Sequence, residues 1–232
     1  MIDYLFPPLP VSALPVIGEN GIYPVARIFC VGRNYAAHAA EMGNEVDREA
    51  PFYFTKSPAA VLSSGQVLPY APGTADLHYE MELVVAIGAP VFRIGPDQAE
   101  SAIFGFGCGL DMTRRDLQAR AKDKRQPWDT GKDFEGAAVL SALTPRAVAG
   151  AVGDRRITLA QNGVLRQDGR LSDMVWSVPE IIADLSRMYH LRPGDLVMTG
   201  TPAGVGPVQP GDHLLGRIEG LQDVALTIGQ PE

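Results

Sequence analysis

Glycine and proline interrupt this chain more than any other feature. Glycine holds 25 and proline 19 of its 232 positions, against a combined share of roughly 12% in an ordinary chain. Glycine loses much backbone freedom in a helix, and proline lacks the N–H a helix needs. A chain so often broken is expected to fold into short elements joined by tight turns, which argues against a helical bundle. Hydrophobic patterning agrees. Residues 27–31 and 51–56 read as strands, with a short helix over 35–42 capped by Asn34 between them. Residues 43–51 are charged and read as a mobile loop. A short strand is expected within 65–72. The stretch HYEMELVVAIG (78–88) reads as one strand running from a polar rim into the core, and 103–110 as a glycine-studded strand. Helices are expected over 95–102, 113–124 and 178–189. Asn162-Gly163 signals a two-residue hairpin, and short strands follow over 195–199, 213–218 and 223–228.

Strands outnumber helices, and the turns imply antiparallel pairing. The expected fold is a mixed, β-rich α/β domain on a largely antiparallel, rolled or barrel-like sheet. Residues 1–24, proline-rich and aperiodic, read as an N-terminal surface arm, and 25–232 as a single domain. The apolar share of 46% and charged share of 20% exclude wholesale disorder. A net charge of −7 gives no general attraction to nucleic acid or to an anionic membrane. No apolar run approaches the ~20 residues of a membrane helix, and the N-terminus lacks the basic start of a secretory signal. The two cysteines, Cys30 and Cys108, are distant and in apolar surroundings. They read as buried thiols in a reducing compartment, which makes the cytoplasm the expected location.

Three sets of residues carry chemistry. Glu80 and Glu82 lie two apart in a strand, so their side chains share a face. Two carboxylates there repel, and a divalent cation removes the repulsion; a solvated strand end is the plainer alternative. Asp111 closes the next apolar strand, either as a helix cap or as a third carboxylate for that cation. Three carboxylates without cysteine suit a hard ion such as Mg²⁺, Mn²⁺ or Ca²⁺. His38 and Glu41 sit three apart on a helix, where the carboxylate can orient the imidazole as a base. Read alone, they are more often an exposed pair on a surface helix. Lys132 sits in an irregular, glycine-flanked segment, and Arg33 beside Gly32 can meet a substrate carboxylate. The turn TGTPAGVG (199–206) can present N–H groups to an anion.

In order and spacing, GRNYAAHAAEMG, HYEMELVVAIG, GLDMTRRDLQ, WDTGKDF and GDLVMTGTPAGVGPVQPGD resemble the fumarylacetoacetate hydrolase family from about residue 25 to the C-terminus. The length resembles its short acylpyruvase type. The resemblance implies a β-roll-like α/β fold, usually dimeric, and a Mg²⁺ or Mn²⁺ ion on Glu80, Glu82 and Asp111. It further implies a catalytic His38–Glu41 pair, an active-site Lys132, and substrate contacts from Arg33, Gln118 and Thr201. The implied reaction is hydrolytic C–C cleavage of a 2,4-dioxo acid, with Lys132 stabilising the oxyanion. GRNYAAHAAEMG and WSVPEIIADLS most resemble enzymes of gentisate breakdown, which points to fumarylpyruvate as substrate. Arg33 and Arg115 are then the candidate cations for its far carboxylate. Competing readings at the same metal are oxaloacetate decarboxylation and isomerisation or decarboxylation of a homoprotocatechuate-pathway dienoate. A ligand-binding subunit without turnover is a remote one. Two departures from the family pattern stand out: Tyr79 replaces a frequent histidine, and the segment 133–154 is shortened.

Overall fold

The computed structural model describes residues 4–7, 9–41, 43 and 48–232. Its spine is an eight-stranded sheet in the order Phe52–Lys56, Arg27–Gly32, Asp195–Met198, Met81–Ile87, Ile103–Asp111, Ala138–Leu140 and Val61–Ser63, with Thr144–Pro145 also paired to Ile103–Asp111. A five-stranded sheet runs Val164–Arg170, Arg156–Gln161, His213–Ile218, Val224–Gly229 and Val67–Pro69. A small third sheet joins Thr113–Arg114, Leu77–Tyr79 and Gly206–Pro207. Most pairings are antiparallel, as the turns implied. Asp195–Met198 against Arg27–Gly32 is parallel, and so are two edge pairings. The mixed, β-rich class expected from the sequence is the observed one.

Every residue of Met81–Ile87 is buried, so both faces of this central strand are covered. Its neighbour Ile103–Asp111 alternates glycine with larger residues. A Cβ at Gly109 would lie 2.7 Å from Val84 Cγ2, so glycine is what lets side chains of the next strand cross it. At the 162–163 turn both residues have positive φ, 53° and 78°, the geometry the Asn-Gly signal called for. The Val178–Met188 helix buries Val178, Ile181, Ile182 and Leu185 and starts at a capping box between Ser177 and Glu180.

Several expectations change. Residues 1–24 are not all a surface arm: Ala13–Pro15 and Ile22–Pro24 form a hairpin. Leu14 and Tyr23 from it are buried in the common core, because apolar residues alternate inward there despite the prolines. The strand expected over 78–88 is two strands in different sheets, Leu77–Tyr79 and Met81–Ile87, with Glu80 at the joint. The helix expected from 113 starts at Arg115, since Thr113 and Arg114 pair with His78 and Leu77. The segment from Pro96 to Ala102 is a 3₁₀ helix. Asn34 does not cap the Ala36–Glu41 helix. Its amide donates to the carbonyls of Trp176 (3.0 Å) and Thr199 (2.8 Å) and accepts from the Trp176 N–H (2.7 Å). Of the loop expected over 43–51, residues 44–47 lie outside the described residues. Cys30 and Cys108 are free and buried, as expected. No helix among the described residues is long and apolar enough to cross a membrane.

Candidate active site

Antiparallel pairing places the carboxylates. Glu82 lies opposite Gly109 and Met81 opposite Leu110, so Asp111 falls beside Glu80, and the Asp111 N–H donates to the Glu80 carbonyl at 2.8 Å. Oxygens of Glu80, Glu82 and Asp111 lie within 4.8 Å of one another. All three residues are at most 5% exposed, which removes the solvated strand end as an explanation. Asp111 is likewise no helix cap, because the helix begins at Arg115.

The charge around this cluster is uneven. Lys132 Nζ donates to Glu80 Oε2 at 2.6 Å, Asp111 Oδ2 at 2.8 Å and Thr113 Oγ1 at 2.7 Å. Lys56 Nζ lies 2.8 Å from Asp111 Oδ1, and Arg115 Nη2 lies 2.5 Å from Glu80 Oε1. Burial works to raise the Glu80 carboxyl, but the Lys132 and Arg115 charges outweigh it and hold the group well below the usual carboxylate range. Burial likewise works against the Lys132 ammonium, and Asp111 and Glu80 more than offset it. Among the described residues Glu82 meets no cation. Its partner is the Gly200 N–H at 2.8 Å, and burial with the Asp111 and Glu80 charges pushes its carboxyl well above the usual range. A buried all-oxygen set with one uncompensated carboxylate fits a hard divalent cation. Gly200 reaches Glu82 because it has no side chain: at φ 95° a Cβ would sit 2.8 Å from Asn34 Cβ.

The dyad comes from the other wall of the cleft. His38 Nδ1 is 3.2 Å from Glu41 Oε2. Both Glu41 oxygens accept from the Gly204 N–H, at 3.1 and 3.2 Å, so the glycine-rich turn fixes the carboxylate that orients the ring. A helix of six residues does not hold itself in water, and the buried Asn34 contacts just before it fasten it to residues 176 and 199. His38, Glu80, Glu82 and Lys132 line one cleft together with Arg33, Arg115, Gln118 and Thr201. The structure therefore brings the sequence candidates together, with Asp111 beneath them.

The contacts within the set are specific. The three protons of Lys132 go to Glu80, Asp111 and Thr113, so it is a counter-charge within the carboxylate cluster. Arg115 is held by Glu80 and by Gln118 Oε1 at 2.7 Å, and its buried Nε has no partner among the described residues. Thr201 Oγ1 accepts from Gln167 Nε2 at 2.8 Å, and Gln167 Oε1 accepts the Met81 N–H at 3.0 Å. This buried glutamine ties the hairpin to the Glu80–Glu82 strand. Gln167 and Lys56 were not among the candidates; Lys56 closes a strand, where a lysine reads as rim. The turn 199–206 does present N–H groups to anions, and these are the protein's own carboxylates, Glu41 at Gly204 and Glu82 at Gly200. Tyr79 is buried and packs against Gly206. Part of the 133–154 segment forms strands paired to Ile103–Asp111.

Comparison with known proteins gives consistent results. The family profile described as Fumarylacetoacetate (FAA) hydrolase C-terminal matches residues 27–228. A fumarylpyruvate hydrolase of Ralstonia sp is 52% identical over 194 residues, covering 82% of this chain and all of that protein. An oxaloacetate tautomerase, YcgM, of Escherichia coli (strain K12) is 39% identical over 199 residues, covering 85% of this chain and 90% of that protein. The crystal structure of a fumarylpyruvate hydrolase from Pseudomonas aeruginosa in complex with Mn²⁺ and pyruvate superposes with a TM-score of 0.94 at 43% identity, covering 98% of this chain and all of that one.

Proposed function

Because the chain belongs to the fumarylacetoacetate hydrolase family, we propose that it hydrolyses the C–C bond of an acylpyruvate, fumarylpyruvate, to fumarate and pyruvate. The observation that carries this reading is the convergence of a His–Glu dyad and a buried carboxylate triad on one cleft. Glu80, Glu82 and Asp111 would hold a divalent cation, Mg²⁺ or Mn²⁺, whose Lewis acidity serves the 2-oxo acid end of the substrate. Glu41 fixes His38 through Nδ1, which leaves Nε2 as the atom that takes a proton from water. The water oxygen adds to the C4 carbonyl carbon, the C3–C4 bond breaks, and its electron pair stays on the pyruvate carbon. The proton on Nε2 can then return to that carbon. Lys132 and Arg115 keep Glu80 ionised inside the protein, and Lys132 and Lys56 pair with Asp111.

The pathway consistent with this reaction is gentisate-type aromatic catabolism, in the cytoplasm, by a homodimer. Loss of the fumarylpyruvate absorbance in the presence of Mg²⁺ or Mn²⁺, with fumarate and pyruvate formed one to one, tests the reading. Oxaloacetate is the control, given the tautomerase relative. Turnover of oxaloacetate with fumarylpyruvate untouched would contradict the assignment.

A further inference from the structure

Four cationic side chains line the cleft: Arg33, Arg115, Lys122 and Lys132. The carboxylate triad engages two of them, Arg115 and Lys132. Among the described residues Arg33 and Lys122 form no ion pair, and both rest on aromatic rings instead. Phe52 and Trp128 stand with ring centroids 4.8 Å apart at an interplanar angle of 54°. The Arg33 guanidinium carbon lies 5.7 Å from the Phe52 centroid, and Lys122 Nζ lies 4.9 Å from that of Trp128. A ring face attracts a cation without neutralising it, so among the described residues this shelf holds two positive charges that no ion pair engages.

The backbone is shaped to build the shelf. A Cβ on Gly32 would lie 2.6 Å from Phe52 Cδ1, so only glycine lets that ring fold over the strand end. Arg33 follows at φ 59°, a left-handed conformation that a non-glycine residue adopts at a cost and that clusters at functional sites. Burial first, and then the neighbouring Arg115 and Arg33 charges, lower the Lys122 ammonium to about 8.

We infer that Arg33 and Lys122 form the receptor for a second carboxylate, at the end of the substrate remote from its 2-oxo acid, so that the cleft selects dianionic over monoanionic substrates. The inference rests on the acylpyruvate reading and adds the residues that choose the acyl arm. Lys122 was not a sequence candidate, because it is one charge among several on the Arg115–Asp123 helix.

The test uses the Mn²⁺-loaded protein and a Lys122→Met variant, which keeps the stem against Trp128 and removes the charge. A charge-assisted hydrogen bond contributes about ten- to a hundredfold in affinity. The fumarylpyruvate-to-acetylpyruvate ratio of kcat/KM should therefore fall by about tenfold or more. Arg33→Met should lower the same ratio, and Lys122→Arg should retain it. Binding decides the point independently of turnover. The parent protein should prefer 2-oxoheptanedioate to 2-oxoheptanoate, ligands of equal chain length that differ in the far carboxylate, and Lys122→Met should erase that preference. Equal weakening of both ligands, or no weakening of either, overturns the receptor. A parent protein that cleaves no acylpyruvate but prefers the dianion would refute the reaction and leave the receptor standing.

Discussion

Glu82 is the residue whose surroundings most demand a partner. Glu80 has Lys132 and Arg115, and Asp111 has Lys132 and Lys56, whereas Glu82 has one backbone N–H. An ionised carboxylate so placed is stabilised by a divalent cation more than by any side chain nearby. Glu82→Gln should lower Mn²⁺ affinity by at least about tenfold, since a neutral amide oxygen replaces a charged ligand. Titration calorimetry on the two proteins checks this, and unchanged affinity would place the ion elsewhere. The triad was legible in the sequence because carboxylates seldom sit beside an apolar run without a reason. Lys56 was not, because the ion pair that justifies its burial forms between strands far apart in sequence. Gln167 was missed for a similar reason: one glutamine in an exposed-looking hairpin strand gives no sign that its amide is fully buried and joins Met81 to Thr201.

At the scale of elements, the sequence located most strands and helices and misplaced the junctions. HYEMELVVAIG alternates and then turns apolar, which is what one strand entering a core looks like. That the chain changes sheet at Glu80 depends on which strands flank it. Asn34 reads as a cap on residue type alone, yet its partners come from residues 176 and 199. A local cap was missed as well: Ser177 and Glu180, three residues apart, form a reciprocal pair at the start of the Val178–Met188 helix. The Ser177 hydroxyl and N–H hold the Glu180 carboxyl below its usual range. A carboxyl lowered on folding stabilises the native state above its unfolded value and loses that contribution as pH falls through the folded one. Parent protein should therefore lose more thermal stability between neutral and acid pH than Glu180→Gln does. Ser177→Ala should cost about 1 kcal/mol at neutral pH. Thermal melts across that range decide the matter, and parallel pH profiles for parent and Glu180→Gln would remove the carboxylate from the account.

For the molecule as a whole, the hairpin at residues 13–24 belongs to the body that carries the site. The Tyr23 hydroxyl shares its one proton between the Ile87 and Asp195 carbonyls, at 2.7 and 3.0 Å, and accepts the Gly194 N–H at 2.8 Å. It thus clamps together the ends of two central strands. Removing residues 1–12 should leave the melting temperature close to the parent's. Removal of 1–24 should lower it by many degrees, because buried Leu14, Val16 and Tyr23 are lost and each large core side chain contributes about 1.5–3 kcal/mol. Equal melting temperatures for the two truncations would return the segment to the status of an arm. The same long-range assembly makes the site: the triad comes from two neighbouring strands and the joint that precedes one of them, the dyad from a short helix, and its anchor from the glycine-rich turn. The central claim is that these parts act together, with His38 as the base that deprotonates water. The direct measurement is the rate of fumarylpyruvate hydrolysis by Mn²⁺-loaded His38→Ala, with Mn²⁺ affinity determined on the same sample. The account predicts a fall of about 10²–10⁴-fold in rate with metal affinity unchanged, and a rate within about threefold of the parent would contradict it.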